Sequence, residues 1–394
     1  MMSFLIIADW ICTKISVLLM ALIVPLSKVM KKAKNSSKKY VFVYANDLLG
    51  DTMIKFPFFF SLRNEFPRER YHIVAVLSPV MAEMLGKIAL FDEIIEETPL
   101  HWRHPMFWIL RREGMANSLK WAFRHTADVF IACHRARSLG CDFAMDLLNP
   151  SVSVGYRADV QTPMLPATAR YQAKNYDGKY THLLVAEDGR HQMKDMNMLL
   201  SFAIGREIKS EAPPPEVLVR MLDFSLLDLG VDAEYIVFVP GARVEYRRWP
   251  IDRFMELAKR FYGTIVIVGG REESLLAKKI ATSCRRAIDL CGKTSLAQLG
   301  GVLAKAKYVV TNETGTASYS AILGVKTICI LGGGDFGAFF PNPYCPNAIS
   351  VFHSDDCFNC GWKCKKTDLE GTVVAPCISS ITVDDVCDAI KKHD

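Results

Sequence analysis

Several sequence patterns that mark common nucleotide-dependent enzymes are missing from this chain of 394 residues. No Gly-x-x-x-x-Gly-Lys-Ser/Thr segment occurs, which argues against a P-loop nucleotidase. No Gly-x-Gly-x-x-Gly follows the first strand-like run of either half, which disfavours a dinucleotide-dependent oxidoreductase. The chain also lacks an obvious Asp-x-Asp pair and any repeat of solenoid period.

A basic surface is missing outside the first 39 residues. The chain carries 48 Lys and Arg against 42 Asp and Glu, a net charge of +6. Seven lysines and one aspartate fall in residues 1–39, so the remainder holds 41 basic and 41 acidic side chains and balances to zero. The sequence therefore does not predict a nucleic-acid partner.

A long uncharged apolar run is also absent. The most apolar segment, residues 15–26, would form a helix of about 18 Å, short of a hydrocarbon core of about 30 Å. Extension back to Phe4 gives the length but includes Asp9 and Lys14. Because lysines follow the run, we predict that residues 1–39 associate with a membrane whose cytoplasmic side holds the body of the protein. Residues 4–26 would be an interfacial helix or a single span, and the alternative is a terminal helix buried on its own domain.

What the chain does contain is two series of strand-like apolar runs that alternate with helical patterns. The first series has runs at 40–44, 72–77, 91–95 and 128–132, with a helical pattern from Gly50 through Leu62. The second has runs at 235–239, 264–268, 287–290 and 308–312, with helical patterns at 251–262 and 296–305. Such alternation is typical of βαβ units and parallel sheets. We predict an α/β protein with two Rossmann-like domains and a cleft between them, where ligands collect at the carboxyl ends of strands.

Three consecutive prolines, 213–215, form a stiff segment and the best domain boundary. The predicted organisation is therefore a membrane-associating segment at 1–39, an N-terminal domain at 40–212, a C-terminal domain at 213–375 and a C-terminal helix at 376–394.

The most informative stretch, residues 308–331, reads as strand, polar loop, short helix and strand. Its loop holds Glu313, Thr314, Gly315 and Thr316, where backbone amides at a helix start attract an anionic group. A carboxylate beside such a position suggests a ligand with both phosphate and hydroxyl groups, as in a nucleotide-sugar. The alternative is that Thr314 only caps the helix.

Other strand ends carry charged residues. Arg243 and Arg247 could neutralise a diphosphate, and Glu272 follows two glycines where a carboxylate can accept ribose hydroxyls. Asp51, at the start of the first helical pattern, could act as a general base. The structural alternative for the two arginines is a surface basic run anchored by Trp249. For Glu272 and Asp51 it is an acid at a helix start that is favoured by the helix dipole.

Cysteines cluster near the C-terminus, as Cys357-x-x-Cys360-x-x-x-Cys364 followed by Cys377. This spacing is compatible with a structural zinc site. The alternatives are reduced thiols that close a loop, or a disulfide.

Together these segments, over residues about 40–390, resemble glycosyltransferase family 9, the lipopolysaccharide core heptosyltransferases of the GT-B fold. The resemblance rests on ordered matches at 49–57, 137–138, 154–156, 240–243, 247–250, 269–273, 292–296, 313–324, 357–360 and 376–381. It implies two Rossmann-like domains whose parallel sheets face a central cleft.

The resemblance also implies roles for single residues. Asp51 would be the catalytic base, Arg247 would contact the donor phosphates, and Glu272 would bind the ribose. Arg137 and Ser138 would bind the acceptor. The family's Asp-Ser/Thr-Gly-Pro-x-His donor loop corresponds to 313–318, where this chain has Glu313, Thr314, Gly315, Thr316 and Ser318.

The implied function is metal-independent, inverting transfer of a sugar, with heptose from ADP-heptose favoured, onto a lipid-anchored lipopolysaccharide core acceptor. No cofactor would be required. The site of action would be the cytoplasmic face of a bacterial inner membrane. Because residues 313–318 differ from the family's donor loop, two alternatives stay open. One is a transferase that uses another nucleotide-sugar for a capsule or surface glycan, and the other is a catalytically silent glycan-binding scaffold.

Overall fold

The computed structural model describes residues 37–97, 120–159, 166–226, 234–284, 286–369 and 374–392, with isolated positions at 11, 14, 15, 18 and 22. The predicted membrane-associating segment therefore lies outside the described residues, apart from those five positions and residues 37–39. In the part of the chain that is described, no helix combines the length and hydropathy needed to cross a membrane.

Strands and helices alternate along the first half of the chain. In order they are β1 (Lys39–Tyr44), α1 (Leu49–Ile54), α2 (Phe56–Glu65), β2 (Tyr71–Leu77), α3 (Pro79–Gly86), β3 (Glu93–Glu96), β4 (Val129–Ala132), α4 (Leu139–Leu148), β5 (Val152–Tyr156), α5 (Pro166–Asn175), β6 (His182–Leu184) and α6 (Gln192–Ile204).

The second half repeats the alternation. Its elements are α7 (Pro215–Val219), β7 (Tyr235–Val239), α8 (Ile251–Arg260), β8 (Thr264–Ile267), α9 (Ser274–Ala281), β9 (Ala287–Asp289), α10 (Leu296–Ala304), β10 (Tyr308–Asn312), α11 (Gly315–Ile322), β11 (Thr327–Ile330), β12 (Ala348–Val351), α12 (Pro376–Ser379) and α13 (Val383–Lys391).

The described strands form two six-stranded sheets in which every paired strand runs parallel, with orders β3-β2-β1-β4-β5-β6 and β12-β11-β10-β7-β8-β9. Both orders are the Rossmann order, with a switch point between β1 and β4 in one sheet and between β7 and β10 in the other. Central strands such as β7 and β10 are buried along their whole length, which explains their continuous apolar sequences. The α/β class predicted from the sequence is confirmed.

The chain divides into two compact units. One contains the described residues within 1–48, 57–187 and 194–211, and the other contains those within 49–56, 188–193 and 212–394. Helix α1 and the first residues of α6 therefore belong to the second unit, together with β7–β12. The predicted domain boundaries at 39/40, 212/213 and 375/376 stay predictions.

Two helix predictions need correction. The helix expected from Gly50 through Leu62 is two helices, α1 and α2, which are separated at Lys55. Pro57 lies at the second position of α2, where its missing N–H costs nothing, so its presence favours a new helix start. The predicted C-terminal helix is likewise two helices, because Thr382 caps α13 in a reciprocal capping box with Asp385.

Candidate active site

The loop between β10 and α11 leaves the start of α11 without a side-chain cap. Thr314 is extended and its side chain makes no capping hydrogen bond, although its hydroxyl lies 3.4 Å from that of Thr311. The carbonyl of Thr314 accepts the amides of Ala317 and Ser318. Amides in the first turn of a helix have no intrahelical acceptor, so this helix start can receive an anion.

The other predicted residues of this loop are only partly exposed. Gly315 and Thr316 are half-buried, whereas Ser318 lies one turn further along and is 5% exposed.

Helix α1 packs its start against the start of α11 through two glycines. A Cβ at Gly315 would lie 2.9 Å from the amide nitrogen of Gly50, and one at Gly50 would lie 3.0 Å from the Cα of Gly315. Real Cβ atoms essentially never approach backbone to 2.9 Å, so Gly315 requires glycine, and a Cβ at Gly50 would fit only if its neighbour shifted. This contact brings Asp51, the residue after Gly50, to the neighbourhood of the α11 start.

The side chain of Asp51 is half-buried and accepts a hydrogen bond of 3.4 Å from Nε2 of Gln192, the first residue of α6. The backbone amide of Gln192 donates to the carbonyl of Ala338 at 2.9 Å. Its Oε1 is buried and has no hydrogen-bond partner among the described residues. Gln192 is a site residue that the sequence did not reveal, because it lies 141 residues from Asp51.

Glu313 and Arg247 form an ion pair beside the loop. Nη2 of Arg247 lies 2.9 Å from Oε2 of Glu313 and 3.9 Å from Oδ2 of Asp335. The side chain of Glu313 is 8% exposed, and this burial raises its pKa to about 7; Arg247 opposes the rise and the charge of Asp335 adds to it. The second carboxylate oxygen, Oε1, is buried without a partner among the described residues. The site therefore holds an acceptor group that is ready for a hydroxyl donor.

The guanidinium of Arg247 is also covered by an aromatic ring. Its Cζ lies 4.5 Å from the ring centroid of Trp362, whose indole N–H donates to Oδ2 of Asp335 at 2.7 Å. The ring of Tyr246 is tilted against the ring of Trp362, with centroids 5.6 Å apart. Cation–π contact and the carboxylate pair fix the plane of the guanidinium. Asp335 and Trp362 were not identified from the sequence, since they lie in a glycine-rich turn and in the cysteine loop.

Asn312 connects the ends of β10 and β7. Its Nδ2 donates to the carbonyls of Pro240 and Gly241 at 2.9 and 3.1 Å, and its Oδ1 accepts the amide of Trp249 at 2.9 Å. The indole N–H of Trp249 donates to the carbonyl of Ile381 at 2.9 Å, and the ring is 1% exposed. Trp249 is therefore a packed anchor, as one of the two interpretations of its segment expected. It holds the turn that carries Arg247.

Of the two acids after β8, Glu273 turns inward. It accepts the backbone N–H of Gly270 and occupies the space where a Cβ of Gly241 would lie. Burial raises the pKa of Glu273, and the neighbouring Glu272 charge adds to the rise. Glu272 itself is exposed, as is Arg243 after β7. The roles predicted for Glu272 and Arg243 stay predictions, and Glu273 is the acid that lies between the two strand-end turns.

In the first unit, Arg137 and Ser138 are engaged with their own surroundings. Arg137 is 6% exposed and pairs with Asp142 at 3.2 Å and Asp177 at 2.5 Å, and its guanidinium lies over the Tyr180 ring. Ser138 caps α4 by accepting an amide 3.1 Å away. The acceptor role predicted for these two residues stays a prediction.

The carboxyl edge of the first sheet carries a polar group that the sequence analysis missed. Tyr44 and Asn46 both donate to the Glu97 carboxylate, and Nε2 of His134 lies 2.9 Å from Oδ1 of Asp47. Tyr44 ends β1, and the other residues follow β1, β3 and β4; the switch point lies between β1 and β4. They are polar side chains at a sheet edge where ligands bind in α/β proteins.

The four clustered cysteines are free thiols, so a disulfide among them is not formed in the structure. Cys357, Cys360, Cys364 and Cys377 all line one cavity, together with Gly333 and Gly334.

A family model described as glycosyltransferase family 9 (heptosyltransferase) matches residues 158–372, more than half of the chain. The chain belongs to glycosyltransferase family 9. No curated protein matches it.

Solved structures of the family share the fold. E. coli heptosyltransferase WaaC with ADP-2-deoxy-2-fluoro heptose is 18% identical, with a TM-score of 0.63 over 90% of this chain and 100% of its own. E. coli ADP-heptose LPS heptosyltransferase II is 15% identical, with a TM-score of 0.62 over 90% and 98%. The glycosyl transferase family 9 protein from Veillonella parvula DSM 2008 is 18% identical, with a TM-score of 0.64 over 91% and 98%. The predicted family and GT-B-like fold are confirmed, and family membership supports a glycosyltransferase.

In this member of family 9, all of the residues predicted for the donor and the base lie in the second unit. They are Asp51, Arg243, Arg247, Glu272, Glu313, Thr314, Gly315, Thr316 and Ser318. The structure adds Gln192, Glu273, Asn312, Asp335 and Trp362 to that group.

Proposed function

We propose that the protein is an inverting glycosyltransferase that moves heptose from ADP-heptose onto a lipopolysaccharide core acceptor. The observation that carries this proposal is the uncapped start of α11 beside the Arg247–Glu313 ion pair. A helix start and a guanidinium receive a diphosphate, while a buried carboxylate receives sugar hydroxyls. One site with both features suits a nucleotide-sugar.

In the proposed reaction Asp51 removes the proton from an acceptor hydroxyl. The resulting oxygen attacks the anomeric carbon from the face opposite the diphosphate, and the bond from that carbon to the phosphate oxygen breaks. ADP leaves with the bonding electron pair. Gln192 would orient Asp51 through the hydrogen bond between Nε2 and Oδ1. Negative charge that develops on the leaving diphosphate is opposed by Arg247 and by the amides at the start of α11.

Arg247 can bind the diphosphate because only one of its nitrogens donates a hydrogen bond within the described part of the chain. Nη2 donates to Glu313, and neither Nε nor Nη1 donates to another described residue. Those donors can face two phosphate oxygens while the Trp362 ring holds the guanidinium plane. Arg243, exposed after β7, would add a second positive charge. Metal-independent transfer follows from this proposal, since arginines and the helix start take the place of a metal ion.

Glu313 would accept a hydroxyl of the donor sugar through Oε1. That oxygen is buried and lacks a partner among the described residues, which is costly unless a ligand supplies a donor. Glu272 would contact the ribose, with Glu273 shaping the turn between Gly241 and Gly270. ADP-heptose is favoured because WaaC, a structural neighbour, is described with an ADP-heptose analogue.

The acceptor is proposed to bind at the carboxyl edge of the first sheet. Arg137 and Ser138 would act there by holding the turn after β4, since their side chains are engaged in ion pairs and a helix cap. A lipid-anchored acceptor suits the apolar and basic segment at residues 1–39. We therefore propose action at the cytoplasmic face of a bacterial inner membrane, with domains at 40–212 and 213–375.

A second candidate function has a specific observation in its favour. Thr316 and Ser318 replace the proline and histidine of the family's donor loop, and Ser318 is buried in α11 and does not extend like a histidine. Another nucleotide-sugar, for a capsule or surface glycan, would fit a donor pocket altered in this way. A catalytically silent scaffold is the remaining alternative.

A nucleotide-sugar panel separates these functions. Thermal shift with ADP-heptose and with UDP- and GDP-sugars identifies the donor, because a ligand at 100 times its Kd adds about 2.7 kcal/mol to stability. ADP release is then measured with lipopolysaccharide core acceptor, for the wild type, Asp51→Asn and the exposed control Asp252→Asn. Heptose transfer predicts stabilisation by ADP-heptose and turnover lost only in Asp51→Asn. Stabilisation by a different sugar nucleotide supports the second candidate, and no stabilisation by any donor supports the scaffold.

A further inference from the structure

Four thiols that are separated in the sequence line one cavity in the second unit. Cys357, Cys360 and Cys364 come from the loop after β12, and Cys377 comes from the first turn of α12. All four are free and half-buried. The spacing alone left a metal, reduced thiols and a disulfide as alternatives, whereas the fold adds the fourth thiol to the same cavity.

The loop around these thiols has an unusual backbone that is held in place. Asn359, Gly361 and Trp362 adopt left-handed conformations, with φ of 62°, 57° and 60°. For a residue other than glycine this region costs about 1 kcal/mol or more, so the surroundings must fix it. The amides of Asn359 and Gly361 donate to the carbonyls of Gly333 and Gly334 at 2.7 and 2.9 Å. The loop is thereby bound to the glycine-rich turn after β11.

Polar and charged groups surround the sulfur atoms of the cavity. The amide of Gly333 points at Sγ of Cys377, 3.5 Å away, which stabilises negative charge on sulfur. Lys366 lines the same cavity, where its ammonium group pairs with the carboxylate of Asp355. A divalent ion with four thiolates carries a net charge of −2, which the positive charge of Lys366 opposes in part. Cys357 also has the carboxylates of Asp355 and Asp356 with ligand atoms within 4.8 Å.

We propose that Cys357, Cys360, Cys364 and Cys377 bind one thiolate-preferring metal ion, zinc or iron. Four sulfur ligands are the set that such ions take in tetrahedral geometry. The four thiols would draw together around the ion and join the loop after β12 to α12.

The metal site has a consequence for the donor site through Trp362. This residue lies between Cys360 and Cys364 in the chain, and its ring covers Arg247 while its N–H bonds Asp335. Its ring also occupies the space where a Cβ of Gly334 would lie. A metal that fixes the loop therefore fixes the Trp362 ring, and with it the plane of the guanidinium. Trp362 is a positioning residue, and this consequence, unlike the metal site itself, rests on the proposed donor role of Arg247.

Metal content tests the site on the full chain. The protein is purified without chelator or metal-affinity steps, and its zinc and iron contents are measured by elemental mass spectrometry. The wild type is compared with the double variant Cys357→Ser/Cys360→Ser and with the control Cys284→Ser, whose thiol lies outside the cavity. About one ion per chain is expected in the wild type and control, and none in the double variant. Iron would absorb visible light, and zinc exchanged for cobalt would give visible bands.

A second measurement tests the metal site even if the double variant does not fold. Treatment of the wild type with a chelator should release the ion and make four further thiols reactive toward a thiol reagent. Metal well below one per chain in the wild type, with the four thiols already reactive or oxidised to a disulfide, overturns the site.

The effect on the donor site is measured as the Kd for ADP before and after metal removal, and again after restoring zinc. A several-fold weaker Kd that zinc reverses is expected, and the same fold-change should appear in metal-loaded Trp362→Leu. An unchanged Kd after metal removal overturns the positioning role. A stoichiometric metal with no ADP binding in any form leaves the metal site intact and instead contradicts the proposed function.

Discussion

Glu313→Gln is the substitution whose effect follows most directly from the geometry of the donor loop. The side chain keeps its size but loses its charge, and with it the ion pair to Arg247 at 2.9 Å. In the wild type, burial raises the pKa of Glu313 from 4.5 to about 7. The folded protein therefore holds this proton over a pH range in which the unfolded chain has released it.

The sign and size of the effect follow from that difference. Between pH 4.5 and 7 the folded state binds more protons, so the stability from this group is complete below pH 4.5 and is lost as the pH rises toward 7. At about 1.4 kcal/mol for each unit of pKa, the total loss is about 3 kcal/mol. Glutamine does not titrate, so the variant lacks this loss.

Urea unfolding at pH 4.5, 5.5, 6.5 and 7.5, followed by tryptophan fluorescence, measures the free energy of unfolding of both proteins. The wild-type value minus the Glu313→Gln value should fall by about 3 kcal/mol across this range. Asp142, whose pKa burial raises to about 6, is common to both proteins and cancels in the subtraction. The exposed control Glu234→Gln should give a flat difference. A flat or rising difference for Glu313→Gln refutes the reasoning.

Three further substitutions test the packing and charge of the site. Arg247→Lys should weaken ADP binding, measured by calorimetry, roughly tenfold, because lysine has no planar fork to hold two phosphate oxygens; equal affinity would exclude the phosphate role. Gly315→Ala should lower both melting temperature and turnover, because its Cβ would lie 2.9 Å from the amide of Gly50, whereas Gly178→Ala, which meets nothing within 4 Å, should change neither. Trp249→Phe should cost about 2 kcal/mol in urea unfolding through lost volume and an unpaired carbonyl, and a neutral result would contradict its anchoring role.

Most central strands could be predicted from the sequence because burial on both faces gives continuous apolar runs, but β5, whose apolar run is interrupted by Ser153 and Gly155, was not predicted. Residues 235–239 were predicted as a strand and are β7, and 308–312 is β10. The edge strands β6 and β12 were missed, since they are short and only partly buried and therefore leave a weak apolar signal. The break at Lys55 was missed because the apolar pattern continues through it.

Site residues were predicted where a single continuous segment contains the motif, as in the loop at 313–318. They were not predicted where two distant segments meet. Asn312 contacts Trp249 across 63 residues, and Gln192 contacts Asp51 across 141, so no local pattern reports either pair. The inward turn of Glu273 depends on the backbone at Gly270, which composition does not fix.

Product analysis with ADP-heptose and a lipopolysaccharide core acceptor decides whether the protein transfers heptose. We expect the wild type to add one heptose to the acceptor, seen by mass spectrometry, and to release one equivalent of ADP. Asp51→Asn should lose this transfer while it still binds ADP, and Asp252→Asn should retain it. Transfer that persists in Asp51→Asn would contradict the role of Asp51 as the base, and a wild type that binds ADP-heptose and the acceptor without forming product would contradict heptose transfer.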